Sequence, residues 1–93
     1  MNIEISNNQI IIGELYSIKI FNKDELENLV SKIMKTNLRP SIRKGSNEQW
    51  FGILEDNDSR VVLSSRDLNS QKDAIDASNK AAQIIKDVRE ENK

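Results

Sequence analysis

The side chains here that could do chemistry are hydroxyls, carboxylates and cations, because the chain has no histidine and no cysteine. The missing histidine is the side chain most used as a general base near neutral pH, and the commonest metal ligand. The missing cysteine excludes thiolate chemistry and disulfides, and is compatible with a reducing compartment. Ser64-Ser65-Arg66-Asp67 sets hydroxyls beside a carboxylate. No G-x-S-x-G elbow surrounds these serines, neither begins a Ser-x-x-Lys spacing, and Ser70-Gln71-Lys72 does not supply one. Glu55-Asp56-Asn57-Asp58 offers carboxylates, but a calcium loop needs a longer ligand run with a Gly at its sharp turn and a closing Glu. It reads as a polar hairpin turn. With only three glycines there is no Gly-rich phosphate loop. No enzyme activity, metal or cofactor is expected.

The other pattern is a basic segment. From Asn28 to Asn47 no acidic residue occurs, while Lys32, Lys35, Arg39, Arg43 and Lys44 all fall there, and Trp50 follows. Cations beside an aromatic can hold a phosphate backbone and stack a base. They can equally meet an acidic protein surface and speed association. The plainer reading is ordinary solvated charge on a helix end and an edge strand. The formal net charge of −1 counts against nucleic acid. Trp50 and Phe51 must point to opposite faces of a strand, and Trp50 is taken as the partly exposed one. The candidate partner-binding residues are therefore Arg39, Arg43, Lys44 and Trp50.

Several elements must position them. Ile3 and Ile5 alternate with Glu4 and Ser6 as a strand, Asn7-Asn8 suits a turn, and Gln9 to Leu15 reads as a second strand. Ser17 to Phe21 either continues that strand or follows a bend at Gly13-Glu14. Asn22 is a candidate helix cap with Glu25 three residues on, and Leu26, Leu29, Val30 and Ile33 predict an amphipathic helix over 23–35. Pro40 to Lys44 reads as an edge strand opening with the only proline. Gln49 to Leu54 and Arg60 to Ser65 complete a meander. Ser70 caps a last helix, about 71–90, with the stripe Ala74, Ala77, Ser78, Ala81, Ile84, Ile85 and Val88.

Ninety-three residues, 37% hydrophobic and 31% charged, suit a single domain over 1–93 with one modest core. Two strand-then-helix halves, 1–37 and 40–90, raise a possible pseudo-repeat. The expected fold class is α+β: one antiparallel sheet of five to six strands with two helices on one face, in the order β-β-(β)-α-β-β-β-α. Apolar runs such as Ile10-Ile11-Ile12 are far short of a membrane span. Residues 1–5 lack the basic-then-apolar pattern of a secretory leader, so a cytoplasmic setting is expected.

The second half resembles a known family. Ile42-Arg43-Lys44-Gly45, Trp50-Phe51-Gly52-Ile53-Leu54, Asp56 to Ser65 and Asn69 to Ala74 together resemble the YegP-like family of small bacterial and archaeal proteins. The repeat of that family is a three-stranded meander followed by a helix. The resemblance covers about 41–86. It departs where Asp58-Ser59 replaces the family's Asn-Gly, where Leu68 stands for an aromatic and where Gly52 stands for a basic residue. It implies a fold and no activity.

The functional expectation is a small non-enzymatic interaction module that binds another protein or a second copy of itself. An inhibitor or adaptor of a larger protein is one form, and the short chain rich in Ile, Asn and Lys suggests a phage-type anti-defence or anti-CRISPR inhibitor by association only. The alternatives are a weak nucleic-acid binder using residues 32–50 and a YegP-like housekeeping domain.

Overall fold

The computed structural model describes residues 3–6, 8–20 and 22–91. Phe21 and Asn7, expected at a strand end and in a turn, lie outside the described residues. The element order is β1 (Ile3–Ser6), β2 (Gln9–Ile12), β3 (Tyr16–Lys19), α1 (Lys23–Lys35), β4 (Arg39–Lys44), β5 (Trp50–Glu55), β6 (Val61–Ser64) and α2 (Gln71–Glu91).

The strands do not join into the single sheet expected from the sequence. They form two separate three-stranded antiparallel sheets, β1-β2-β3 and β4-β5-β6. The second correction follows from the first, since the helices do not share one face of a common sheet. Ala74, Ala77, Ser78 and Ala81 of α2 are all buried, and the helix backbone comes close to the second sheet at Gly52. It lies along β4 and β5 of the second sheet. Its neighbouring flank, Ala77, Lys80, Ala81 and Ile84, faces Ile11 to Tyr16 of the first sheet across a cleft of about 300 Å³.

Gly13 bends the chain between β2 and β3 with φ 61°, a left-handed conformation that glycine adopts without steric penalty. Register then sorts the first sheet. Ile12 faces Ile3 and Tyr16, and Ile10 faces Ile5 and Ile18. Ile10, Ile12 and Tyr16 thereby enter a core shared with Leu26 and Ile33 of α1, Leu54, Leu63, and Ala77, Ala81 and Ile85 of α2. The Asn22 side chain accepts from the Asp24 and Glu25 amides, which satisfies two of the free N–H groups at the start of α1. Ser70 Oγ does the same for the Asp73 amide at the start of α2.

Gly52 is the joint between the sheets. Its carbonyl accepts from the Tyr16 hydroxyl at 2.8 Å and from the Ser65 amide at 2.9 Å, and its own amide donates to Ser65 Oγ at 3.0 Å. A Cβ at Gly52 would lie 2.5 Å from the Ala74 carbonyl oxygen and 3.0 Å from both the Ser78 nitrogen and the Tyr16 hydroxyl. No side chain fits there, because α2 and Tyr16 both approach the strand at this position. The Arg66 amide adds a second link between the sheets by donating to the Leu15 carbonyl.

Candidate functional site

The basic segment is divided by the fold. In β4, Arg39, Ser41 and Arg43 face Glu55, Ile53 and Phe51, while Pro40, Ile42 and Lys44 face Leu54, Gly52 and Trp50. Directly opposed residues share a face. Arg39 and Arg43 therefore lie with Phe51 on the outer face, whereas Lys44 and Trp50 lie on the face that carries α2. Arg39 and Lys44 stand at opposite ends of the strand, about 17 Å apart along it. The four residues singled out from the sequence do not form one patch.

Two cations are committed to structure. The Lys32 Nζ is 3.2 Å from Asp56 Oδ2. The Arg39 guanidinium donates to the Asp56 carbonyl and to Ser59 Oγ. Asp56 is the hub of the β5–β6 hairpin and is buried. Its Oδ1 accepts from the Asp58 and Arg60 amides at 2.9 and 3.0 Å. Those bonds, that from Arg60 first, hold its carboxyl below the usual carboxylate range, with the Lys32 ammonium adding to the effect and burial working against it. Both oxygens are thus occupied by protein donors, and the hairpin is a structural turn.

Besides Lys35 at the end of α1, Arg43 and Lys44 of β4 remain. Both are exposed, and the only ion pair among the described residues is Lys32–Asp56. The Lys44 Nζ lies 5.7 Å from the centre of the Trp50 ring, within cation–π range. Trp50 is half-buried, and its backbone exchanges two 2.9 Å hydrogen bonds with Leu68. Its backbone is part of the sheet and its ring carries Lys44. Phe51 is also half-buried, over Gly45, where a Cβ would run into its ring.

Ser41-Ile42-Arg43-Lys44 does have a Ser-x-x-Lys spacing, which sequence reading passed over. On a strand that spacing sends the two side chains to opposite faces, so Lys44 cannot take a proton from Ser41. The feature that the sequence only hinted at through Pro40 is the edge of β4 itself. The Gly45 amide donates to the Gln49 carbonyl, which makes 45 and 49 a hydrogen-bonded pair. By the alternation of an antiparallel ladder, Arg43, Ser41 and Arg39 bond toward β5. The Ile42 and Lys44 amides, and the carbonyls of Pro40, Ile42 and Lys44, then point away from the sheet. Pro40 fits this phase, since its position needs no N–H. No strand lies beside that edge among the described residues.

A groove of about 550 Å³ adjoins the edge where the chain enters β4. Asn37 and Leu38 form one wall, and the flank of α2 carrying Asn79, Ala82, Lys86 and Arg89 forms the other. Arg89 donates to the Thr36 carbonyl at 2.9 Å. Ala74 and Ser78 lie at Gly52, which faces Ile42, so α2 runs antiparallel to β4 along its length. Among the described residues no helix is long and apolar enough to cross a membrane. Comparison with family models, with curated proteins and with solved structures returned no match.

Proposed function

We propose that this chain is a non-enzymatic protein-interaction module that takes an extended segment of another protein as an added strand on the free edge of β4. The observation that carries the reading is the row of outward backbone groups at Pro40, Ile42 and Lys44, with no strand beside them among the described residues. Strand addition obtains affinity from such main-chain bonds and specificity from the alternate side chains. The other edges offer less. On the β6 side the chain continues into the bonds made by Ser65, Arg66 and Leu68, and β1 and β3 have four residues each against six in β4. The absent histidine and cysteine and the committed carboxylate of Asp56 support a binding role over catalysis. A cytoplasmic setting and an inhibitor or adaptor role belong to the same proposal.

The test is selection from a random dodecapeptide library displayed on phage, with the native chain and Ile42→Pro as baits. Ile42→Pro removes one outward N–H and leaves every β4–β5 bond in place. Enriched peptides that bind the native chain and lose most of their affinity for Ile42→Pro support strand addition. No enrichment, or peptides indifferent to Ile42→Pro, overturns it.

A further inference from the structure

The strand-addition reading leaves the chemistry of the partner open, and charge closes it. From that reading we infer that the partner segment is acidic, with carboxylates at the positions that face Arg43 and Lys44. β4 contains no acidic residue, and the groove beside it adds Lys86 and Arg89 against the single carboxylate of Glu90. Arg43 and Lys44 have no carboxylate partner among the described residues.

The same charges argue against a second copy as the occupant. Antiparallel pairing of β4 with itself about Ile42 would gather Arg39, Arg43 and Lys44 of both copies into one two-stranded ladder with no carboxylate in it. In that register Arg43 opposes Ser41 and Lys44 opposes Pro40, so the cations of the two copies meet diagonally with nothing to neutralise them, and edge cations are a common device against contact between identical copies. What repels a copy attracts an acidic strand.

The pleat gives the partner a pattern. Antiparallel addition is the stronger and commoner geometry. Opposite Arg43, Ser41 and Arg39 an incoming strand places side chains on the face away from α2, where acid and hydroxyl fit, followed by a neutral polar residue at Arg39, which already bonds the Asp56 carbonyl and Ser59 and faces Glu55. Opposite Lys44, Ile42 and Pro40 it places them toward α2, where acid, apolar and apolar fit. That side is floored by Ile75, Asn79, Ala82 and Lys86, which follow one another along one flank of the helix. Ile75 stands 41% exposed there, an apolar surface that an added strand would cover. Written along the partner, the pattern is Glu-Glu-Val-Thr-Val-Thr.

The experiment measures fluorescence anisotropy of twelve-residue peptides carrying this core between Gly-Ser ends, as the Glu form, a Gln form and a Lys form. Exposed cross-strand charge pairs are each worth a fraction of a kcal/mol, so the two acids together should tighten binding about fivefold over Gln. Arg43→Glu with Lys44→Glu should remove that advantage and turn the preference toward the Lys peptide, while Ile42→Pro weakens all forms alike. Equal binding of the Glu and Gln forms overturns the acidic assignment and leaves strand addition standing. So does failure of the Glu form when library peptides still bind in an Ile42-dependent way. Acid-selective binding that ignores Ile42→Pro places the acid elsewhere and overturns both. Sedimentation of the native chain as a dimer through β4, abolished by Ile42→Pro, overturns the acidic assignment in favour of a second copy. Tighter binding to a 20-base-pair DNA duplex than to the Glu peptide overturns it in favour of phosphate.

Discussion

The Tyr16 hydroxyl donates 2.8 Å to the carbonyl of Gly52 and ties one three-stranded sheet to the other. The contact needs a residue without a side chain, because α2 passes so close that the Ala74 carbonyl oxygen occupies the space a Cβ would take. β5 is held in register by this joint, and β5 in turn holds β4 and its edge.

Gly52→Ala should therefore destabilise by about 3 kcal/mol, at the upper end of what overpacking does in a tight core. Tyr16→Phe should cost about 1 kcal/mol, since the carbonyl keeps its bond from the Ser65 amide. Urea unfolding at constant slope measures both. A neutral Gly52→Ala would mean that the helix is not seated on the strand.

Burial pushes the Tyr16 phenol up to about 12. It is the only tyrosine, so absorbance at the tyrosinate band reports it alone. The raised value means that the folded state holds the proton more tightly than the unfolded chain, whose phenol titrates near the ordinary value of about 10. The stability tied to the neutral phenol is then intact below about pH 10 and lost as pH rises from there through about 12. A folded-state titration midpoint near pH 10 would contradict the buried contact.

Asp56 works in the opposite direction. Its carboxyl is held low by the Arg60 and Asp58 amides and the Lys32 ammonium, so the folded state favours the ionised form. That contribution is present above the ordinary carboxylate value of about 4 and is lost as pH falls through the lower folded value. In urea melts between pH 7 and pH 2, Asp56→Asn should remove part of the acid sensitivity of the native chain. Parallel pH profiles for the two proteins would show that Asp56 is not the anchor.

Glu48 and Ser59 adopt φ of 60° and 61°, the left-handed region that penalises a Cβ. Glu48→Gly and Ser59→Gly should each stabilise by about 0.5–1 kcal/mol after the added freedom of glycine in the unfolded chain is set against the relieved strain. Thermal midpoints would rise by a few degrees.

The helices were legible because their periodicity is local. Of the stripe Ala74, Ala77, Ser78, Ala81, Ile84, Ile85 and Val88, α2 buries all but Ile84, which is half-buried, and Asn22 caps α1 as its type and position suggest. The sheets were not legible because alternation tells which residues share a face and says nothing of which strand lies alongside. Gly13, Tyr16 and Gly52 decide the separation, and their contacts span 36 residues in the case of Tyr16 and Gly52. The same limit governs the site. Pro40 marked β4 as an edge strand, but nothing local showed that Lys32 and Arg39 are held at Asp56 or that Trp50 is paired with Leu68. A basic run on paper becomes one edge with two uncommitted cations in the fold.

Amide hydrogen exchange along β4 in the isolated chain tests the central claim most directly. The ladder predicts slow exchange at Ser41 and Arg43, which bond to β5, and fast exchange at Ile42 and Lys44, which face outward. An acidic peptide bound at the edge should then slow Ile42 and Lys44 and leave Ser41 and Arg43 unchanged. Slow exchange at Ile42 and Lys44 in the dilute free chain would mean that the edge is already covered and would contradict the account.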